Sequence, residues 1–182
     1  MSGAKPGTTL LPREIARSIL VLHETVGAEA RADAADTLEQ AKAVAGALQE
    51  LGWNVTTLAI DLELETMLAS VAAAKPDCVF NLVESMRGVD RLIHIVPSVL
   101  SVAGVRYTGA GSDAMYLSSN KLLAKQWMHL QGIPTPGWFV PGKDKPPGDA
   151  SWIVKSVSEH ASFGLDEGCV VKKPVSYTHL TL

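Results

Sequence analysis

The residues best placed to do chemistry lie between Trp152 and Gly164, Trp-Ile-Val-Lys-Ser-Val-Ser-Glu-His-Ala-Ser-Phe-Gly. An apolar, β-branched run delivers Lys155 to the end of a predicted strand, and a turn of small residues, Ala161 to Gly164, follows within one loop's length. A lysine on a rigid strand is a fixed positive charge. Backbone N–H groups and the Ser162 hydroxyl in the compact loop from Glu159 to Gly164 can point at phosphate oxygens, so the stretch reads as a phosphate grip. Upstream, Lys121 and Lys125 stand four apart on one face of a predicted helix over Ser118 to Gly132. Both patterns have an ordinary meaning as well: a lysine between strand and loop, or a pair on one helix face, is common solvated surface.

These groups need a scaffold. After a predicted mobile tail over residues 1–12, Ser18 to Leu22 is a buried strand ending at His23-Glu24. Asp36 with Glu39 forms the pattern of a capping box, and Leu38, Ala41, Ala45, Leu48 and Leu51 share one helical face before the stop at Gly52. Trp53 to Ile60 is a second strand, Asp61 can cap a helix with inner face Leu64, Met67, Leu68 and Val71, and Asp77 to Leu82 is a third strand. The order β-α-β-α-β predicts an α/β fold, an open parallel sheet with covering helices. Ligands bind such sheets beyond the carboxyl ends of the strands, here His23-Glu24 and Asn81 to Glu84, which makes Glu84 a candidate substrate-binding residue. Strand ends are also polar simply because they meet water.

Leu92 to Val102 reads as a buried helix in which Pro97 either kinks the run or marks its true start. Val105 to Thr108 is a short strand before Gly109. The run Gly109-Ala110-Gly111-Ser112-Asp113-Ala114 satisfies the dinucleotide fingerprint, but it follows the third strand rather than the first, so tight-turn glycines account for it. Pro134 and Pro136 end the lysine-bearing helix, which sets a domain boundary near residue 133. Pro141 to Pro147 reads as an exposed loop, and Gly168 to Lys172 as a last short strand.

Composition limits the function. The 182 residues carry 47% hydrophobic and 19% charged side chains with a net charge of -3, which describes a globular chain. There is no basic cluster, so neither nucleic acid nor an anionic membrane is an expected partner. Cys78 and Cys169 are far apart in apolar runs, without metal-ligand spacing, and read as buried free thiols. No secretory leader or membrane-length apolar run is legible, which points to the cytoplasm.

Several pieces, in order, resemble the D-alanine:D-alanine ligase group of the ATP-grasp enzymes from about Ser18 to Lys172. Asp77-Cys78-Val79-Phe80-Asn81 is similar to the third strand of that family, and Gly104-Val105-Arg106-Tyr107-Thr108-Gly109 to its Gly-Ile-Pro-Tyr-Thr-Gly turn. Asn120-Lys121 stands where the family has Asp-Lys, and Gly132-Ile133-Pro134-Thr135-Pro136 resembles the linker into its ATP-grasp domain. The family pattern is Val-Lys-Pro, two variable residues, Glu-Gly-Ser-Ser, an apolar residue and Gly, and this chain resembles it with identical spacing, reading Val154-Lys155-Ser156 and then Glu159-His160-Ala161-Ser162-Phe163-Gly164.

The resemblance implies an ATP- and Mg²⁺-dependent ligase that phosphorylates the carboxylate of an amino acid or dipeptide-like substrate and lets an amine attack the acyl phosphate. Lys121 and Lys155 would hold ATP phosphates, and Ser162, within the Glu159 to Gly164 loop, would contact the transferring phosphoryl group. Glu29, with a one-residue shift, would correspond to the first-substrate glutamate. It also implies a pre-ATP-grasp, Rossmann-like domain over 13–132, the start of an α+β ATP-grasp domain over 133–174, and a homodimer, to which the apolar Leu92 to Val102 run would contribute. The departures lie on the substrate side. Val83-Glu84 replaces His-Gly, Gly88-Val89-Asp90-Arg91 replaces Gly-Glu-Asp-Gly, and His160-Ala161 replaces Gly-Ser, so D-alanine is not carried over as the substrate.

Val175 to Leu182 has no apolar period and can be read back into codons as a transposon-end sequencing adapter. On that reading the chain is the N-terminal part of a longer protein, with its metal ligands and acceptor site elsewhere, and is inactive alone. A non-catalytic α/β nucleotide- or metabolite-binding module, complete as written, is the competing expectation. A third is an interaction domain whose lysines are only solvated surface.

Overall fold

The computed structural model describes residues 17–26, 32–140, 143, 151–160 and 165–171. It divides into two compact units, one of residues 1–87 with 99–109 and one of residues 88–98 with 110–182.

The first unit is built on β1 (Ser18–Glu24), which pairs in parallel with β2 (Asn54–Ile60) on one side and β3 (Cys78–Asn81) on the other. Sheet order is β2-β1-β3, as β-α-β-α-β predicts, with Val21 opposite Thr57 and Phe80. A central strand is covered on both faces, which is why Ile19 to Leu22 is an unbroken apolar run and is buried throughout. β2, at the sheet's edge, is mostly exposed or half-buried instead, with only Ile60 buried. α1 (Ala32–Glu50) and α2 (Leu64–Ala74) are the crossovers. Ile19, Val21 and Ala41 form a core against which Val44, Leu48, Trp53, Val55, Phe80 and Leu82 pack. Met67 and Val71 anchor α2, while Leu68 stands at its margin, 36% exposed.

Several sequence expectations are corrected here. α1 begins at Ala32, so Asp36 lies inside the helix rather than capping it, and Glu39 pairs with Lys42 at 2.8 Å. Leu51 follows the last helical turn and is 75% exposed, whereas Gly52 ends the helix with φ +84° as expected. Asp61 does not cap α2, whose N-cap is Glu63 without a side-chain bond. Val105 to Thr108 contracts to one parallel bridge, Val79 to Tyr107, where Val79 N–H donates to Arg106 O at 2.8 Å and Thr108 N–H to Val79 O at 3.0 Å. Left-handed glycines at 104 and 109 turn the backbone at both ends and leave no room for a longer strand. Cys78 and Cys169 are only half-buried, since one opens β3 and the other closes a turn.

The predicted Leu92 to Val102 helix becomes a 3₁₀ turn, Asp90–Leu92, followed by α3 (Ile95–Val102). Pro97 falls in the first turn of α3, where a missing N–H costs no helical bond, so it marks the start rather than a kink.

In the second unit, the predicted helix over Ser118 to Gly132 is two, α4 (Ser112–Ser119) and α5 (Lys121–Leu130). Asn120 separates them in an extended conformation, and its carboxamide oxygen accepts from the N–H groups of Leu122 and Leu123 at 3.1 Å each. β4 (Trp152–Ile153) pairs antiparallel with β5 (Val170–Val171), a ladder of only two residues per strand. The last strand starts later than expected because Asp166 accepts from Gly168 N–H at 2.8 Å and winds Glu167–Cys169 into a 3₁₀ turn. The expected tail, most of the Pro141 to Pro147 loop and residues 175–182 lie outside the described residues. Among the described residues no helix is long and apolar enough to cross a membrane.

Candidate functional site

In the second unit Lys121 is the first residue of α5, placed there by the Asn120 cap. Its backbone N–H donates to Val157 O at 2.9 Å, and its ammonium donates to the carbonyl oxygen of Glu159. Glu159 N–H donates to Ser156 Oγ at 3.3 Å, and His160 N–H donates to Asp90 Oδ2 at 2.9 Å. The loop that leaves β4 is thus clasped from two sides, by α5 and by the 3₁₀ turn. Lys155 opens that loop and is exposed.

Partial burial pushes the Lys121 ammonium below the ordinary lysine range, and the nearby Lys155 charge pushes it the same way, while Asp90 and Glu159 pull weakly upward. Two ammonium groups therefore stand close enough to repel, and among the described residues neither is in an ion pair. An ammonium has three donors, and the Glu159 carbonyl uses one of Lys121's. What the arrangement can do is take an anion with several oxygens. Lys125, read as surface, is instead structural: its ammonium donates to Thr135 Oγ1 at 3.0 Å and to Pro136 O at 2.8 Å, and lies 5.6 Å from the Trp138 ring centroid.

The structure brings together Lys121, Lys155 and Glu159. Ser162 and Gly164 of the same loop, and Glu29 after β1, lie outside the described residues. Sequence reasoning missed Asp90 as the anchor of the loop. Its signal was faint, one acid next to a departure from the family pattern, and only the fold shows it within reach of residue 160.

At the carboxyl ends of the first unit's strands, side chains tie loops to strands. The Ser85 hydroxyl donates to a Glu24 carboxylate oxygen. Arg87 Nε donates to Asp61 Oδ1 at 2.7 Å and Arg87 Nη2 to Asp61 Oδ2 at 3.0 Å. The Arg87 hydrogen bond, followed by one from Leu62 N–H, holds the Asp61 carboxyl below the usual carboxylate range. Arg87 reaches it from a left-handed backbone with φ +53°, rare for a residue with a side chain. Thr25 N–H and hydroxyl both donate to Ile60 O, at 2.8 and 3.0 Å. Glu84 lies in the same loop, exposed and outside these pairs. The Asp61–Arg87 pair was hidden in the sequence because its members are 26 residues apart and meet only through the order of the strands. Among the described residues no three His, Cys, Asp or Glu side chains are placed to hold a metal ion.

The fold has a counterpart among solved structures. A solved structure of D-alanine-D-alanine ligase from Bacillus anthracis, complexed with ATP, superposes with a TM-score of 0.63 over 87% of this chain and 51% of that one, at 17% identity. In sequence, the chain is 32% identical over 133 residues to the D-alanine-D-alanine ligase of Erythrobacter litoralis, covering 71% of this chain and 39% of that protein. It is 33% identical over 134 residues to the ligase of the same name from Aquifex aeolicus, covering 71% and 44%. No protein-family profile matches. The fold matches that of the solved ligase over about half its length, and the chain is similar in sequence to D-alanine-D-alanine ligases, the resemblance its ordered motifs carry. It spans about two-fifths of the length of the curated relatives it matches.

Proposed function

We propose that the chain is the N-terminal part of an ATP-dependent carboxylate-amine ligase of the ATP-grasp family, acting through an acyl phosphate. The observation that carries this is the bond from the Lys121 ammonium to the loop that Lys155 opens, in a chain similar to these ligases. A polyphosphate fits the two lysines, because among the described residues neither ammonium is in an ion pair. Phosphoryl transfer asks chiefly for positioning and charge neutralisation, which fixed ammonium groups and loop N–H donors provide.

In this reading Lys121 and Lys155 hold ATP phosphates. Ser162 contacts the transferring phosphoryl group, with Glu159 and Gly164 bounding its loop. Glu29 and Glu84 are the acids available to an amino-acid ammonium. Residues 13–132 are the pre-ATP-grasp domain and 133–174 the beginning of the ATP-grasp domain. Mg²⁺ accompanies ATP; the described residues offer no site for it, so its ligands would lie elsewhere in the enzyme. The 182-residue chain is inactive alone, and the intact protein is a cytoplasmic homodimer acting on a small amino acid or dipeptide-like substrate, without nucleic acid. Matching well under half of the related ligases is what supports inactivity.

The test is ADP release by the product of the native gene, supplied with ATP, Mg²⁺ and a panel of D- and L-amino acids. Release that depends on an amino acid and is abolished in Lys155→Met is expected. ATP turnover unaffected by any amino acid, or by Lys155→Met, would overturn the reading.

A further inference from the structure

Among the described residues two buried polar side-chain atoms lack any hydrogen-bond partner, Trp152 Nε1 and His160 Nε2. A buried polar atom left unpaired is costly, so a native structure that keeps one calls for an explanation. For His160 the surroundings provide it. Its neighbour Glu159 accepts from the Lys121 ammonium through its carbonyl oxygen, so the imidazole stands next to the residue Lys121 grips, in the loop that Lys155 opens. The loop is gripped there by backbone atoms alone, Glu159 O and His160 N–H. Neither contact uses the ring, so a change in its side-chain torsions breaks neither of them.

We propose that His160 is an additional anion ligand of this chain, donating Nε2–H to a phosphoryl oxygen of the polyphosphate that Lys121 and Lys155 neutralise. This rests on the phosphate-binding reading of the two lysines and adds a residue to it. In the pattern the chain resembles, the positions of His160 and Ala161 are glycine and serine. The imidazole restores a donor to a loop that has lost a hydroxyl, and does so from the adjacent position.

The experiment is a titration of the isotope-labelled 182-residue chain with inorganic tripolyphosphate, following the His160 ring nitrogens and the lysine ammonium groups by NMR. The expected result is that His160 Nε2 shifts with the same saturation curve as Lys121 and Lys155, and that His160→Gly weakens binding about tenfold, the scale of one hydrogen bond to a charged group. Lysines that respond while the His160 ring does not, or an affinity unchanged in His160→Gly, would overturn the inference and leave the phosphate reading standing. No response from any of the three would overturn both.

Discussion

β1 and β4 show two ways of holding a functional group. β1 has five consecutive buried residues and a partner on each side, so the acid at its end, Glu24, is delivered by the core of the first unit. β4 pairs over two residues, and Ile153 faces its partner Val170 with both more than half exposed. Lys155 therefore owes its place less to the strand than to the clasp beyond it, where Lys121 and Asp90 grip backbone atoms of residues 157–160. Packing positions a residue through many weak contacts. A clasp does so through a few polar ones, each of which a single substitution removes.

The sharpest break of this contrast is in the cores. Leu22→Ala, at a fully buried site, should destabilise the first unit by about 2–5 kcal/mol, and Ile153→Ala in the second by less than about 0.5 kcal/mol. Urea denaturation followed separately in each unit checks this, and equal losses would erase the distinction. Next in size is Asn120→Ala, which removes the acceptor for two N–H groups at the start of α5 and should cost about 1 kcal/mol. Faster amide exchange at Leu122 and Leu123, with the first unit unchanged, is the expected signature.

Two smaller effects separate the units by charge. In the first, Asp61 has a partner, so its folded pKa lies below the ordinary 3.8. Its contribution is present above that value and is lost as pH falls through the folded pKa. In Arg87→Ala the Asp61 carboxyl signal should titrate closer to 3.8, and the acid limb of the stability curve should flatten. In the second, partial burial and then the nearby Lys155 charge hold Lys121 below its ordinary value. The folded chain then binds fewer protons than the unfolded one between the lowered value and 10.5, and stability rises with pH across that window. Lys121→Met should abolish the rise, and saturating tripolyphosphate should diminish it in the unsubstituted chain.

The contrast also explains what was legible in the sequence. The run Ile19 to Leu22, the helical face through Ala41 and Leu48 and the stop at Gly52 are local signals backed by burial, and the parallel sheet follows from them. Lys121, Lys155 and Glu159 were legible through spacing and resemblance. The clasp was not, because a bond from an ammonium or a carboxylate to a backbone atom leaves no periodicity. Asn120 shows the limit well. Its cap is a local feature, yet the apolar pattern runs through it, and α4 and α5 read as one helix until the backbone is seen to break. Similarly, Asp61 has the type and place of a helix cap but is taken by Arg87, a competitor that only the sheet order brings near.

The proposed function is that an enzyme containing this chain activates a carboxylate by moving a phosphoryl group onto it. Its most direct test supplies the native gene product with ATP and an amino acid that supports ADP release, the amino-acid carboxylate carrying a heavy-oxygen label. Through an acyl phosphate, one labelled oxygen bridges carbon and phosphorus and departs with phosphate when the amine attacks, so labelled inorganic phosphate is the expected product. Phosphate released without label, alongside a formed amide, would contradict the account.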